Sequence, residues 1–193
     1  MIPFRLLVLA VTVGAQVSAG AQILTFNEKW WTSALSDEQQ GFIYGYQDCR
    51  QPKNAAVGSI VDYQNYVTHY LEAHRASSGE LVPIAIHTAE KNMTPRTPLK
   101  GGEIWPGPHG YLDGGWWGLP DRNSLFQQQG FVEGYLLCAT GKVDVSSVRH
   151  YVNEVNRHYA TKNTEHDAIA EVLKPLIAKQ KDEAKLAEVN HDH

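Results

Sequence analysis

A repeated phrase constrains this chain more than any other feature. Gln39-Gln40-Gly41-Phe42-Ile43-Tyr44-Gly45-Tyr46-Gln47-Asp48-Cys49 returns as Gln128-Gln129-Gly130-Phe131-Val132-Glu133-Gly134-Tyr135-Leu136-Leu137-Cys138. Seven of eleven positions agree, and the chain's two cysteines occupy the same place in each copy. Self-similarity of this kind marks a duplicated structural unit. Trp30-Trp31 precedes the first copy and Trp116-Trp117 the second. Downstream, Tyr63-x-Asn65-x-Val67 pairs with Tyr151-x-Asn153-x-Val155, Tyr70 with Tyr159, and Leu81-Val82-Pro83-Ile84-Ala85 with Leu173-Lys174-Pro175-Leu176-Ile177.

The periodicity is helical. Phe42, Tyr46 and Cys49 recur at i, i+4 and i+7, as do Phe131, Tyr135 and Cys138, which places one apolar stripe on each copy. Ser36-x-x-Gln39 and Ser124-x-x-Gln127 read as capping boxes. Second helices are predicted over Ser59–Ala73 and Ser146–Ala160, and third helices from near Ser78 and Thr164, with Pro175 deep enough to kink its helix. Glycine costs about 1 kcal/mol inside a helix, yet each copy carries a pair: Gly41 with Gly45, and Gly130 with Gly134. The physical reason is close approach, a flat strip on which another backbone can press. The expected fold is all-α, with two pseudosymmetric three-helix units in one domain. Equivalent residues of such units meet only near the pseudo-twofold axis, so a Cys49–Cys138 disulfide requires the glycine strips to form the helix crossing.

The chain ends bear on compartment. Arg5, the apolar run Leu6–Val13 and the small residues Ala19-Gly20-Ala21 read as a secretory signal over residues 1–21. The run is too short for a membrane span, which needs about 20 residues. Cleavage there predicts a periplasmic or secreted protein, where paired cysteines are the rule. The formal net charge is -4, with scattered lysines, so no basic footprint for nucleic acid exists. Neither a CxxC nor a Cys/His metal spacing is present, and no metal or cofactor is expected. The predicted organisation is unit A over 22–92, a central loop over 93–115, unit B over 116–178 and a charged tail over 179–193.

The central loop interrupts the repeat. The stretch from Pro95 to Gly118 has no helical period, is rich in Gly and Pro, and holds three of the five tryptophans. A long aperiodic loop is usually functional or disordered, and disordered segments are poor in aromatics. Aromatic side chains on an ordered loop suit a protein-binding hot spot. Trp105, His109, Tyr111 and Asp113, with Trp116 in support, are the candidate partner-binding residues. At least one ring of each Trp pair is expected to be a core anchor, whereas Trp105 has no counterpart in the first unit. Glu103, His109 and Asp113 form an alternative acid/base set for an enzyme acting on cell-wall or polysaccharide material. A third alternative is a non-catalytic glycan-binding protein that stacks these rings on sugars. No residue is assigned a catalytic role.

Gly41-Phe42-x-x-Gly45-Tyr46-x-x-Cys49, Val67-x-x-Tyr70-Leu71-Glu72-Ala73-His74 and Leu81-Val82-x-x-Ala85-Ile86 resemble small helical periplasmic immunity proteins. Members of that family neutralise peptidoglycan-amidase effectors delivered by type VI secretion. The likeness covers about 50 residues of the first unit and is fainter in the second, where the Tyr-Leu-x-x-His phrase becomes His158-Tyr159-Ala160-Thr161. Family members are usually one short unit, and the central loop has no counterpart among them. The resemblance implies an exported helical domain, and an inhibitor or immunity protein docked on a cell-wall hydrolase.

Overall fold

The computed structural model describes residues 22–50, 59–75, 79, 81–93, 112–118 and 125–191. These form α1 (Glu28–Ser33), α2 (Ser36–Arg50), α3 (Ile60–Ala73), α4 (Leu81–Asn92), α5 (Gly114–Trp117), α6 (Leu125–Thr140), α7 (Val145–Tyr159) and α8 (Ile169–His191). The fold is all-α: among the described residues extended pairing is limited to the isolated bridges Ile23–Asp144 and Asp113–Ala168. None of the described helices is long and apolar enough to cross a membrane.

The two repeated helices, α2 and α6, make the largest helix–helix contact among the described residues. A Cβ on Gly41 would collide with the backbone carbonyl of Gln127, and one on Gly45 with that of Phe131. Gly130 and Gly134 meet the carbonyls of Glu38 and Phe42 in the same way. Partner numbers rise together, so the helices run parallel. The contacts are also reciprocal, because Glu38 and Phe42 are the repeat equivalents of Gln127 and Phe131. At each glycine a hydrogen replaces the Cβ and points at a carbonyl oxygen, the geometry of a weak Cα–H···O contact. At the far end of the crossing Cys49 and Cys138 are bonded, with Cα atoms 6.1 Å apart.

The halves share further contacts. Asn27 and Asp113 each cap a short helix, their Oδ1 atoms accepting from Trp30 N and Trp116 N, both at 3.1 Å. Trp31 Nε1 donates to Thr68 Oγ1 at 3.0 Å, and Trp117 Nε1 donates to Asn156 Oδ1 at 2.7 Å. Gln39 Nε2 donates to Trp31 O at 2.6 Å, and its equivalent Gln128 donates to Trp117 O at 3.0 Å. Val82 N donates to Phe26 O, and Ile169 N to Leu112 O. Trp31 and Trp117 are both 2% exposed and sit in the core, so each pair supplies the core anchor expected of one of its rings.

Three expectations are corrected. Each half carries a short Trp-bearing helix, α1 or α5, before the three expected ones. Ser36 is the first residue of α2, and Gln39 bonds Trp31 O and Ala34 O, so no Ser36–Gln39 capping box forms; the equivalent Ser124 lies outside the described residues. Among the described residues a capping box forms instead at Ser59–Asp62, at the start of α3. Finally, the shared backbone bonds align Val82 with Ile169, not with Lys174. The resemblance of the two proline phrases is therefore not a structural equivalence: Pro83 is the third residue of α4, whereas Pro175 lies inside α8, a turn later relative to its helix.

Gly45→Ala and Gly134→Ala should each lower the urea midpoint, although alanine favours helix by about 1 kcal/mol. Overpacking against backbone costs roughly 1–3 kcal/mol, and a carbonyl cannot rotate aside as a side chain does, so a net loss of about 2 kcal/mol is expected. A variant as stable as the parent would show that the helices cross elsewhere. Removing the disulfide, by Cys49→Ser with Cys138→Ser, should cost up to roughly 4–5 kcal/mol, since it closes a loop spanning 89 positions. Chemical denaturation of both forms measures this directly.

Candidate functional site

The C-terminal foot of the central loop is the part that can be described. Trp105, His109 and Tyr111, and Glu103 of the acid/base alternative, lie outside the described residues. Leu112, Asp113 and Trp116 are held from several sides. Leu112 is buried in the core and its carbonyl accepts from Ile169 N at 2.9 Å, which ties the loop to the start of α8. Asp113 is 7% exposed. Its side chain caps α5, and its carbonyl accepts from Trp117 N at 2.9 Å. Trp116 is half-buried, edge-on to Tyr44 with centroids 5.4 Å apart and packed on Phe131 at 5.4 Å. Gly115 N donates to Glu165 O at 3.2 Å, joining α5 to the α7–α8 connection. In that connection His158 Nε2 pairs with Asp167 Oδ2 at 2.8 Å, and Tyr159 OH donates to Asp167 O at 2.8 Å. Asp113 and Trp116 thus take part in the scaffold beside the C-terminal end of the central loop.

The four glycines and two cysteines are brought together in one crossing, as described above. Two residues that sequence reasoning passed over lie beside them. Asp48 on α2 is 4% exposed, and Glu133 on α6 is 7% exposed. Asp48 Oδ2 and Glu133 Oε2 each lack a hydrogen-bond partner among the described residues. Burial pushes the Asp48 carboxyl up to about 7, with Lys174 opposing the rise and Glu171 adding to it. Burial likewise pushes Glu133 up to about 8, with Glu38 reinforcing it. Glu38 is itself raised, mainly by burial, although the Leu35 N–H works against the shift. Burial, with Asp48 and Glu171 nearby, holds the Tyr135 phenol far above its ordinary value.

The signal for these carboxyls was disagreement between the copies. Asp48 stands where the second copy has Leu137, and Glu133 stands where the first has Tyr44. An apolar face shared by both copies would carry neither. Desolvation favours the protonated form of a buried carboxyl, so both act as neutral, proton-binding groups in acid. Among the described residues no group of three or more His, Cys, Asp or Glu side chains converges as a metal site would require.

These shifts predict a stability profile. In the unfolded chain both groups ionise near their ordinary values of about 4, well below their values in the fold. The fold therefore binds more protons between roughly pH 4 and pH 8, and its stability falls as pH rises through that window. Each group's ceiling is on the order of 4 kcal/mol. Urea midpoints between pH 4.5 and 8.5 should decline in the parent and decline less in Asp48→Asn and Glu133→Gln. Parallel curves would refute the assignment. No protein-family model, no curated protein and no solved structure matches the chain.

Proposed function

We propose that this is an exported, disulfide-bonded helical binding protein that engages a protein partner through the loop ending at Trp117. The observation that carries the proposal is the anchoring of that loop's foot. Leu112, Asp113, Trp116 and Trp117 are tied to α6, α7 and α8 by core packing and hydrogen bonds. Recognition residues placed on a rigid support lose less conformational freedom on binding, which converts more of their contact into affinity. Trp105, His109 and Tyr111 precede this foot directly in sequence and are the contact residues of the proposal.

Export is supported by the signal-like residues 1–21 and by the Cys49–Cys138 bond, which suits an oxidising compartment. The partner class is a cell-wall hydrolase, on the resemblance to periplasmic immunity proteins. The test uses the mature chain as bait in a cell-envelope extract, with Trp105→Ala/His109→Ala as control, followed by calorimetry on any captured hydrolase. The parent should bind at stoichiometric ratio and inhibit peptidoglycan cleavage. Trp105→Ala should weaken binding by about 2 kcal/mol, roughly 30-fold. Equal binding by a folded double variant would remove the loop from the interface, and a folded bait that binds no hydrolase would end the proposal.

A further inference from the structure

The two halves differ at one equivalent place in a way that leaves an open notch. Arg50, the last residue of α2, crosses to α4. Its guanidinium lies 5.7 Å from the Tyr46 ring centroid, and its Nη1 pairs with Glu90 Oε2 at 3.0 Å. His87 Nδ1 lies 3.0 Å from Arg50 Nη2. The repeat equivalent of Arg50 is Ala139, and that of Tyr46 is Tyr135. The matched bonds of Val82 and Ile169 carry His87 onto Lys174 and Glu90 onto Ile177. Where the first half has an inserted cation and an acceptor, Ala139 supplies no such side chain in the second half, and Lys174 and Lys181 make the walls basic.

The space left is a groove of about 210 Å³ lined by Tyr135, Ala139, Lys174, Ile177, Ala178 and Lys181. Its floor is apolar: Tyr135 is 3% exposed and Ile177 is 6% exposed. Lys181 Nζ reaches Ala139 O at 3.4 Å, and Lys174 Nζ is held by the exposed Glu171 at 2.6 Å. An exposed pair of that kind contributes about 0–1 kcal/mol, so Lys174 can exchange it for another carboxylate at little cost. An occupant must therefore combine a short apolar stem with a negative head. Asp48 opposes an anion here through its coupling to Lys174, and its burial keeps much of it protonated below neutral pH.

We infer that the groove between α6 and α8 receives the carboxylate side chain of a bound polypeptide, a glutamate stem on Tyr135 and Ile177 with its head between Lys174 and Lys181. The inference rests on the reading of this protein as a protein binder and gives it a second contact point, away from the loop.

Butyrate mimics the glutamate side chain and tests the groove without any partner, so its outcome is separate from that of the capture experiment. Amide NMR of the disulfide-bonded chain is followed at pH 6 during titration with butyrate and, separately, butylammonium. Butyrate should saturate in the millimolar range and shift Ala139, Lys174, Ile177 and Ala178, more weakly at high salt. Lys174→Gln/Lys181→Gln should reduce the affinity at least fivefold. Ala139→Glu supplies the carboxylate from the chain itself, by the route Arg50 takes in the first half; it should abolish the butyrate shifts and raise the melting temperature. Equal response to butylammonium, no saturable shift at these residues, or unchanged butyrate binding in either variant would overturn the inference.

Discussion

The structure depends on two parallel helices that cross with carbonyl oxygens pressed onto glycine. Ordinary helix pairs stand 8–10 Å apart because side chains separate them. In α2 and α6 the glycines remove that spacer at four points, two on each helix, and each faces a carbonyl of the other. The short Trp helices α1 and α5 dock beside the crossing, and Phe26, Trp30 and Phe42 pack on one side as Trp116, Trp117 and Phe131 do on the other. The disulfide closes the same end of both helices and joins the halves across it.

Matched contacts carry the scaffold, whereas the differences between halves carry whatever is specific. Arg50 fills its half and Ala139 leaves a notch in the other. Tyr44 supports Trp116, the foot of the central loop, while its equivalent Glu133 is a buried carboxyl without a hydrogen bond at one oxygen. Asp48 replaces an equivalent leucine and couples electrostatically to Tyr135 and Lys174. An unsatisfied buried polar oxygen costs about 1–3 kcal/mol. The core therefore retains two groups that an optimised apolar packing would not.

Much of this was legible in the residues. Paired glycines at helical spacing, each beside an equivalent cysteine, imply a crossing and a bond near an axis, because no other arrangement satisfies both. That at least one ring of each Trp pair anchors the core was legible because the pair recurs; that it is Trp31 and Trp117 was decided by the fold. The short helices α1 and α5 were not legible, since six and four residues give no measurable period and each exists through its cap and its tertiary contacts. The role of Asp113 as a cap was likewise hidden, since nothing in the residues alone places its Oδ1 on Trp116 N.

The sequence by itself determined the helical class, the repeated phrase, the crossing residues and the cysteine pairing. All of these follow from periodicity and from identity between copies, which are local or one-dimensional properties. Tertiary structure decided the alignment of α4 with α8, where the prolines mislead and the shared Phe26 and Leu112 carbonyl bonds do not. It also decided that Asp48 and Glu133 are buried and that Ala139 opens a groove. Burial and open space depend on what neighbouring helices bring to a position, and that information is spread across residues far apart in the chain.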